Sequence, residues 1–279
     1  MENVKLRIYA KINPFLSIVG SNDGYHNLDT VFVSVSAYDE ILAIKSNETR
    51  VFLDGEERSE TNAFKAATLM KSVGSGGAEI YITRGIISGG GVGSSSADAA
   101  GVIRALSILY DLDASEEILK TVARQVGSDV PYMLNGGWAR LKGTGMEVEY
   151  FDAPVGERLL LAAKANVNTG ECFRLYDENP QPCPTADEFI KKIRSSQLVD
   201  SGELLYNALT NAATMLNGDV EVALTVMKEC GLITAMTGSG ATVWGSGNEK
   251  NLIQAQNRLS SLGFSVQIVQ TMAKGFEVL

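Results

Sequence analysis

The sequence predicts an α+β protein folded as two lobes. Three observations carry that prediction. The chain opens on apolar residues at every second position, the period of a half-buried strand. Strand-like and helix-like segments then follow in mixed order, with antiparallel-looking neighbours. Near residue 150 the pattern changes and a second set of strands and helices begins. The boundary is expected near 152, with an N-terminal lobe of residues 1–152 and a C-terminal lobe of residues 153–279.

Each element has a local reason. Val4, Leu6, Ile8 and Ala10 alternate with Lys5, Arg7 and Tyr9, so the first strand lies there. Short apolar runs near 15–19, 29–35 and 39–45 make the rest of this stretch β-rich, with Ser21-Asn22-Asp23-Gly24 between two of them. Thr61 reads as an N-cap, with Ala63, Phe64, Ala67 and Met70 on one helical face and Gly74 as the stop. A strand at 78–83 leads into a glycine- and serine-rich run at 88–96. Beyond it Ala99, Val102, Ile103, Leu106 and Tyr110 recur at helical spacing. Ile118, Leu119, Val122, Ala123 and Val126 form another helix, ended by Gly127. A strand at 158–165 opens the second half. The segment 177–186 holds Pro180, Pro182 and Pro184 and suits a loop. Thr185 and Glu188 predict a capping box ahead of Phe189, Ile190 and Ile193. Leu204, Leu205, Ala208, Leu209, Ala212 and Leu216 predict one helix, and Ala223, Leu224 and Met227 before Gly231 another. Strands at 233–236 and 241–245, a helix at 249–262, and strands at 264–269 and 274–278 complete the chain.

Composition narrows the function classes. The chain has 24 basic and 33 acidic residues, a net charge of −9, and one histidine. Hydrophobic residues make up 45% and charged residues 20%, values of a globular protein rather than a disordered one. The acidic balance argues against nucleic acid as a partner, while a local pocket can still hold an anionic small molecule. Cys172, Cys183 and Cys230 are odd in number and widely spaced, so neither a disulfide framework nor a Cys-x-x-Cys metal site is expected. No apolar run reaches the ~18 residues of a membrane helix, and the N-terminus has no apolar signal-peptide core. A cytoplasmic protein acting on a small molecule, without nucleic acid or membrane, is expected.

The strongest chemical signal is Gly89-Gly90-Gly91-Val92-Gly93-Ser94-Ser95-Ser96 opening a helix. Such glycines permit positive φ and close approach of a ligand to the backbone. Successive N–H groups can form an anion nest, to which the helix adds its unpaired N–H groups and dipole. Three hydroxyls face phosphate oxygens or a magnesium ion, and the whole suits a triphosphate. No Lys follows these glycines as a Walker A loop requires, and the flanks are not those of a dinucleotide fingerprint. A side chain at Gly91 or Gly93 is expected to obstruct such a phosphate ligand with little effect on stability. A second cluster, Thr237-Gly238-Ser239-Gly240-Ala241, joins two strands and is equally consistent with a tight hairpin.

Three further residues stand out. Lys11 leaves an apolar strand, where a lysine is ordinarily solvated, yet it could set a point charge against an anionic substrate. His26, the only histidine, follows Tyr25 and a glycine turn; it is either a satisfied turn residue or a contact for an aromatic ligand. Asp129, in Gly127-Ser128-Asp129-Val130-Pro131, is either a helix cap or a base.

Taken together, these segments resemble one family. Ala10-Lys11-Ile12-Asn13, Asp23-Gly24-Tyr25-His26, the loop 89–96, Gly127-Ser128-Asp129-Val130-Pro131 and Thr237-Gly238-Ser239-Gly240-Ala241 have the order and spacing of GHMP kinases. The first, second and fourth are most similar to the branch that phosphorylates the 2-hydroxyl of a cytidine-diphosphate-linked sugar alcohol in non-mevalonate isoprenoid synthesis. The resemblance implies an N-terminal lobe of the ribosomal-protein-S5 domain-2-like type and a ferredoxin-like C-terminal lobe. It implies ATP on Gly89, Gly90, Gly91, Gly93, Ser94, Ser95 and Ser96, with Mg²⁺, leaving open which serine meets the metal. It implies Lys11 and Asp129 as the catalytic pair and Asn13, Tyr25, His26 and Phe173 as substrate contacts, with the aromatic residues on the cytosine. Ser94-Ser95-Ser96-Ala97 is nearer the loop of mevalonate and homoserine kinases, Ile87 replaces a usual Pro, and Asn207-Ala208-Leu209 replaces Asn-Asp-Leu. The alternatives are a GHMP kinase for another small alcohol and a catalytically silent ligand-binding paralogue.

Overall fold

A computed structural model of the chain describes residues 1–22, 24–88 and 90–279. β1 (Asn3–Asn22) and β2 (Tyr25–Ser46) are single strands of 20 and 22 residues, paired antiparallel along their whole length. The sequence had suggested several short strands instead. The reason is physical. The register shifts at Tyr9/Ala10, Ile12/Phe15 and Ile18/Gly20, and each shift breaks the period-two pattern without ending the strand. Ile8 to Ile18 is also buried throughout, so no alternation survives there.

β3 (Arg50–Leu53), β4 (Glu56–Glu57) and β5 (Gly77–Thr83) extend the sheet beyond the end of β2. β6 (Ala139–Gly143) pairs with the start of β2, and β7 (Glu147–Tyr150) with β6. Four helices cover this part: α1 (Asn62–Met70), α2 (Ser94–Leu109), α3 (Glu116–Val126) and α4 (Val130–Met133). Thr61 caps α1 as expected, accepting from the Phe64 N–H at 3.1 Å. α2 lies directly on β1 and β2. Gly101 permits this, because a β-carbon there would stand 3.2 Å from the Ile8 β-carbon.

The second half runs β8 (Arg158–Ala163), α5 (Thr169–Asp177), α6 (Asp187–Ile193), β9 (Tyr206–Asn207), α7 (Thr210–Leu216), α8 (Asp219–Glu229), β10 (Ile233–Met236), β11 (Val243–Ser246), α9 (Glu249–Ser261), β12 (Ser265–Met272) and β13 (Phe276–Val278). Its four main strands lie in the order β10-β11-β8-β12, all antiparallel. That is the ferredoxin-like split-βαβ arrangement. The end of β12 also pairs with β2, and β13 pairs with β1, so the chain returns to its first lobe. One core fills the space between the sheet and α1–α4, and a second lies under α5 and α7–α9. No helix among the described residues is long and apolar enough to cross a membrane.

Two local expectations fail. The helix expected over 204–216 starts only at Thr210. Asn207 intervenes: its amide donates to the Met236 and Gly238 carbonyls at 3.0 and 2.9 Å and its oxygen accepts from the Leu209 N–H. Those bonds, with β9 paired to β1, hold the segment extended. The capping box at Thr185 is also absent. The Thr185 hydroxyl donates to Asp187, and buried Asp29 takes the Ala186 N–H at 3.0 Å.

Candidate active site

The glycines of the loop are held through their backbone carbonyls and by close packing against the second glycine cluster. Gly90, Gly91 and Gly93 all have φ near +80°, at 76°, 81° and 74°. A β-carbon on Gly91 would overlap the Thr237 carbonyl oxygen, and one on Gly90 would lie 2.7 Å from the Gly240 carbonyl oxygen. The Thr242 hydroxyl donates to the Gly90 carbonyl at 2.6 Å, and the Thr237 hydroxyl to the Gly91 carbonyl at 3.0 Å. The two glycine clusters therefore pack on each other across the lobes. A substitution at Gly91 strikes the second lobe as well as any ligand, which corrects the expectation of little effect on stability. Gly89 lies outside the described residues, as does Asp23 of the second motif.

Gly93 precedes α2 with no side chain capping the helix. The Ser96 N–H turns back to the Gly93 carbonyl at 3.0 Å, and the first turn borders a hollow of about 660 Å³ lined in part by Arg84, Gly90, Gly91 and Ser94–Ser96. The three serines differ. The Ser94 hydroxyl donates to Asp39 at 3.4 Å, and the Ser95 hydroxyl accepts from the Asn62 amide at 3.0 Å. Ser96 lines both this hollow and the neighbouring cleft.

That cleft, about 400 Å³, receives residues from both halves of the chain, among them Lys11, Asn13, Ser96, Asp129, Phe173 and Ser239. Lys11 sits inside β1 rather than after it and is only 3% exposed. Its Nζ donates to Asn13 Oδ1 at 2.6 Å, stands 3.8 Å from Asp129 Oδ2, and lies 4.4 Å from the Phe32 ring centre. Burial pushes the ammonium below the ordinary lysine range, and the Asp129 charge opposes that push. Asp129 stands at the N-cap of α4 yet makes no capping hydrogen bond. Its carboxylate is thus available to Lys11 and to whatever enters the cleft. Asn13 is 1% exposed and fastens the floor: its Oδ1 also accepts from the Gly238 N–H at 3.0 Å, its backbone N–H donates to the Thr237 hydroxyl at 3.0 Å, and its amide donates to Thr30.

A hollow opens beside a lysine–aspartate pair, and known proteins are similar to this chain along most of its length. Residues 62–137 match the family described as GHMP kinases N terminal domain. A 4-diphosphocytidyl-2-C-methyl-D-erythritol kinase of Cutibacterium acnes is 34% identical over 86% of this chain and 84% of its own length. The chain belongs to the 4-diphosphocytidyl-2-C-methyl-D-erythritol kinase family. A second member, from Desulfitobacterium hafniense, is 31% identical over 98% of this chain and 97% of its own. A crystal structure of 4-(cytidine 5'-diphospho)-2C-methyl-D-erythritol kinase superposes with a TM-score of 0.79, covering 96% of this chain and 98% of the other at 24% identity. The fold is that of GHMP kinases.

In this member of the kinase family, His26 and Phe173 come together, but against each other. Their ring centres are 4.6 Å apart with planes 27° from parallel, which leaves no slot for a third ring between them. His26 Nε2 also meets Asp177 Oδ1 at 2.7 Å. Tyr25 is 68% exposed, clear of the cleft lining, whereas half-buried Phe173 forms part of it. Thr237, Thr242 and Asp177 were not foreseen from sequence. The signal for the two threonines was present, since a second glycine cluster flanked by hydroxyl residues matches a loop that needs acceptors met from outside. Nothing local marks Asp177.

Proposed function

We infer that this protein is a kinase that moves the γ-phosphoryl group of ATP to the 2-hydroxyl of 4-diphosphocytidyl-2-C-methyl-D-erythritol. The observation that carries the mechanism is the Lys11–Asp129 pair, set in one cleft between the glycine loop and Phe173. Phosphoryl transfer asks chiefly for positioning and for neutralised oxygen charge. The uncapped N–H groups of α2 and the backbone of Gly90–Gly93 would bind the triphosphate. Asp129 would accept the proton of the attacking hydroxyl. Lys11, fixed by Asn13, would orient Asp129 and meet negative charge as it develops.

Magnesium binds through substrate phosphates, water and one or two protein oxygens, so it needs no protein cage. The Ser96 hydroxyl and the Asp129 carboxylate, both facing the cleft, fit that requirement. Bound there with the triphosphate, Mg²⁺ would neutralise phosphate oxygens. Cytosine would stack on the cleft side of Phe173, with His26 backing the ring from behind.

Calorimetry with cytidine diphosphate tests the acceptor half of this reading. Saturable binding, undisturbed by Mg-ADP, is expected, because the two ligands occupy adjoining spaces. Absence of cytidine diphosphate binding in a protein that binds Mg-ADP would turn the reading toward another alcohol.

A further inference from the structure

We propose that Asp39 is a positioning residue for the nucleotide, whose carboxylate fastens the glycine loop to the central sheet at both ends. Asp39 lies on β2, opposite Ile8 of β1, and is fully buried. At the loop entry its Oδ1 accepts from the Gly85 and Ile86 N–H groups at 2.8 and 3.0 Å. At the loop exit its Oδ2 accepts from the Ser94 hydroxyl at 3.4 Å. One side chain therefore spans the two points where the loop leaves β5 and enters α2. The stretch between is glycine-rich and has little stiffness of its own. Its middle is held by Thr237 and Thr242 of the second lobe and by the Lys11 N–H, which donates to the Val92 carbonyl at 3.1 Å, while Asp39 anchors both ends within the first lobe.

Asp98 shows that the anchorage is more than incidental packing. It lies four residues after Ser94, on the same face of α2, and is 4% exposed. It faces Asp39, and the Arg84 guanidinium reaches its Oδ2 at 3.3 Å. Its Oδ1 is buried without a partner. Two buried carboxyls facing each other are compatible when one carries a proton. Burial and the Asp39 charge both push the Asp98 carboxyl well up, with Arg84 opposing. A proton on the Asp98 carboxyl would let it donate towards Asp39, so that the two carboxyls sit together without repulsion. A carboxyl buried so completely is costly unless its oxygens are met, and those of Asp39 are met at the two ends of the loop.

The inference rests on the nucleotide lying on this loop. Its test is calorimetry with Mg-ATP and, separately, cytidine diphosphate, alongside the melting temperature without ligand. Asp39→Ala should weaken Mg-ATP at least tenfold, the scale of lost hydrogen bonds to a charged group, and leave cytidine diphosphate within about twofold. Asp39→Asn keeps an oxygen for the two amides and should recover Mg-ATP affinity to within about threefold of wild type. Should the alanine variant not fold, Asp39→Ser replaces it. The shorter hydroxyl reaches one end of the loop at most, and about a fivefold loss or more for Mg-ATP alone is expected. Unchanged Mg-ATP affinity in folded Asp39→Ala or Asp39→Ser, or equal losses for both ligands, would overturn the proposal. A wild type that binds no Mg-ATP would instead contradict the placement of the nucleotide on the loop.

Discussion

In the proposed mechanism Asp129 and Lys11 carry the chemistry, and each departs from the ordinary behaviour of its residue type. An aspartate just before a short helix usually caps it; here the carboxylate is left to the cleft. Asp129→Asn should therefore keep the melting temperature and cut turnover by ~10²-fold or more, the usual scale for a lost proton acceptor. Near-native turnover in the asparagine variant would return Asp129 to a capping role. Lys11 is buried because a strand covers it on one side and the glycine loop on the other, and no local pattern in the sequence shows that cover. Burial lowers its pKa, so the folded protein sheds this proton at a lower pH than the unfolded chain, whose lysines titrate near 10.4. The unfolded chain binds more protons in that alkaline interval, so stability gained there through Lys11 rises with pH. Turnover moves the other way, because the cation facing the substrate is lost. Lys11→Met should abolish this contribution to the stability rise and depress kcat at every pH. A wild-type kcat level from neutrality to about pH 10 would contradict the role given to the cation. Phe173 is half-buried rather than a core residue. Phe173→Ala should weaken cytidine diphosphate by roughly 5- to 150-fold, the range of base stacking, with ATP binding and melting temperature little changed.

Among elements, the loop and the hairpin that clamps it behave as one unit. Gly91 and Gly24 have nearly the same φ, 81° and 79°, but an added β-carbon meets the Thr237 carbonyl at Gly91 and nothing within 4 Å at Gly24. Gly24→Ala should cost the backbone strain alone, about 1–3 kcal/mol. Gly91→Ala should cost clearly more, since neither backbone can yield without breaking its hydrogen bonds. Equal melting temperatures for the two variants would mean that the clusters are not in contact. Local signals were a good guide wherever an element is settled by its own residues. Thr61 caps α1, and Gly74, with φ of 100°, ends the helical run. They misled wherever a distant partner decides. The apolar residues from Leu204 to Leu216 do recur at helical spacing, yet Asn207 is bonded to a strand nearly thirty residues further on. β1 and β2 read as fragments because their bulges reset the pattern, although bulges next to a site are a common way of re-aiming side chains such as Lys11.

At the scale of the whole molecule, the cleft exists because the chain crosses between its halves several times. β9 pairs with β1, β12 with β2, and the hairpin after β10 reaches the glycine loop. Lys11 and Asp129 come from the first half, and Phe173 and Ser239 from the second. The two-lobed α+β class could be read from element order alone. The joint could not, because pairing between distant strands leaves no local trace. A net charge of −9 is compatible with the proposed polyanion site, because Lys11 supplies a buried cation to the cleft. The central claim is that this one cleft passes phosphoryl groups to a cytidine-linked alcohol. ADP release, measured with 4-diphosphocytidyl-2-C-methyl-D-erythritol, mevalonate and homoserine offered separately with Mg-ATP, tests it most directly. Turnover with the cytidine compound, lost in Asp129→Asn, is expected. Release of ADP with mevalonate or homoserine, and none with the cytidine compound, would contradict it.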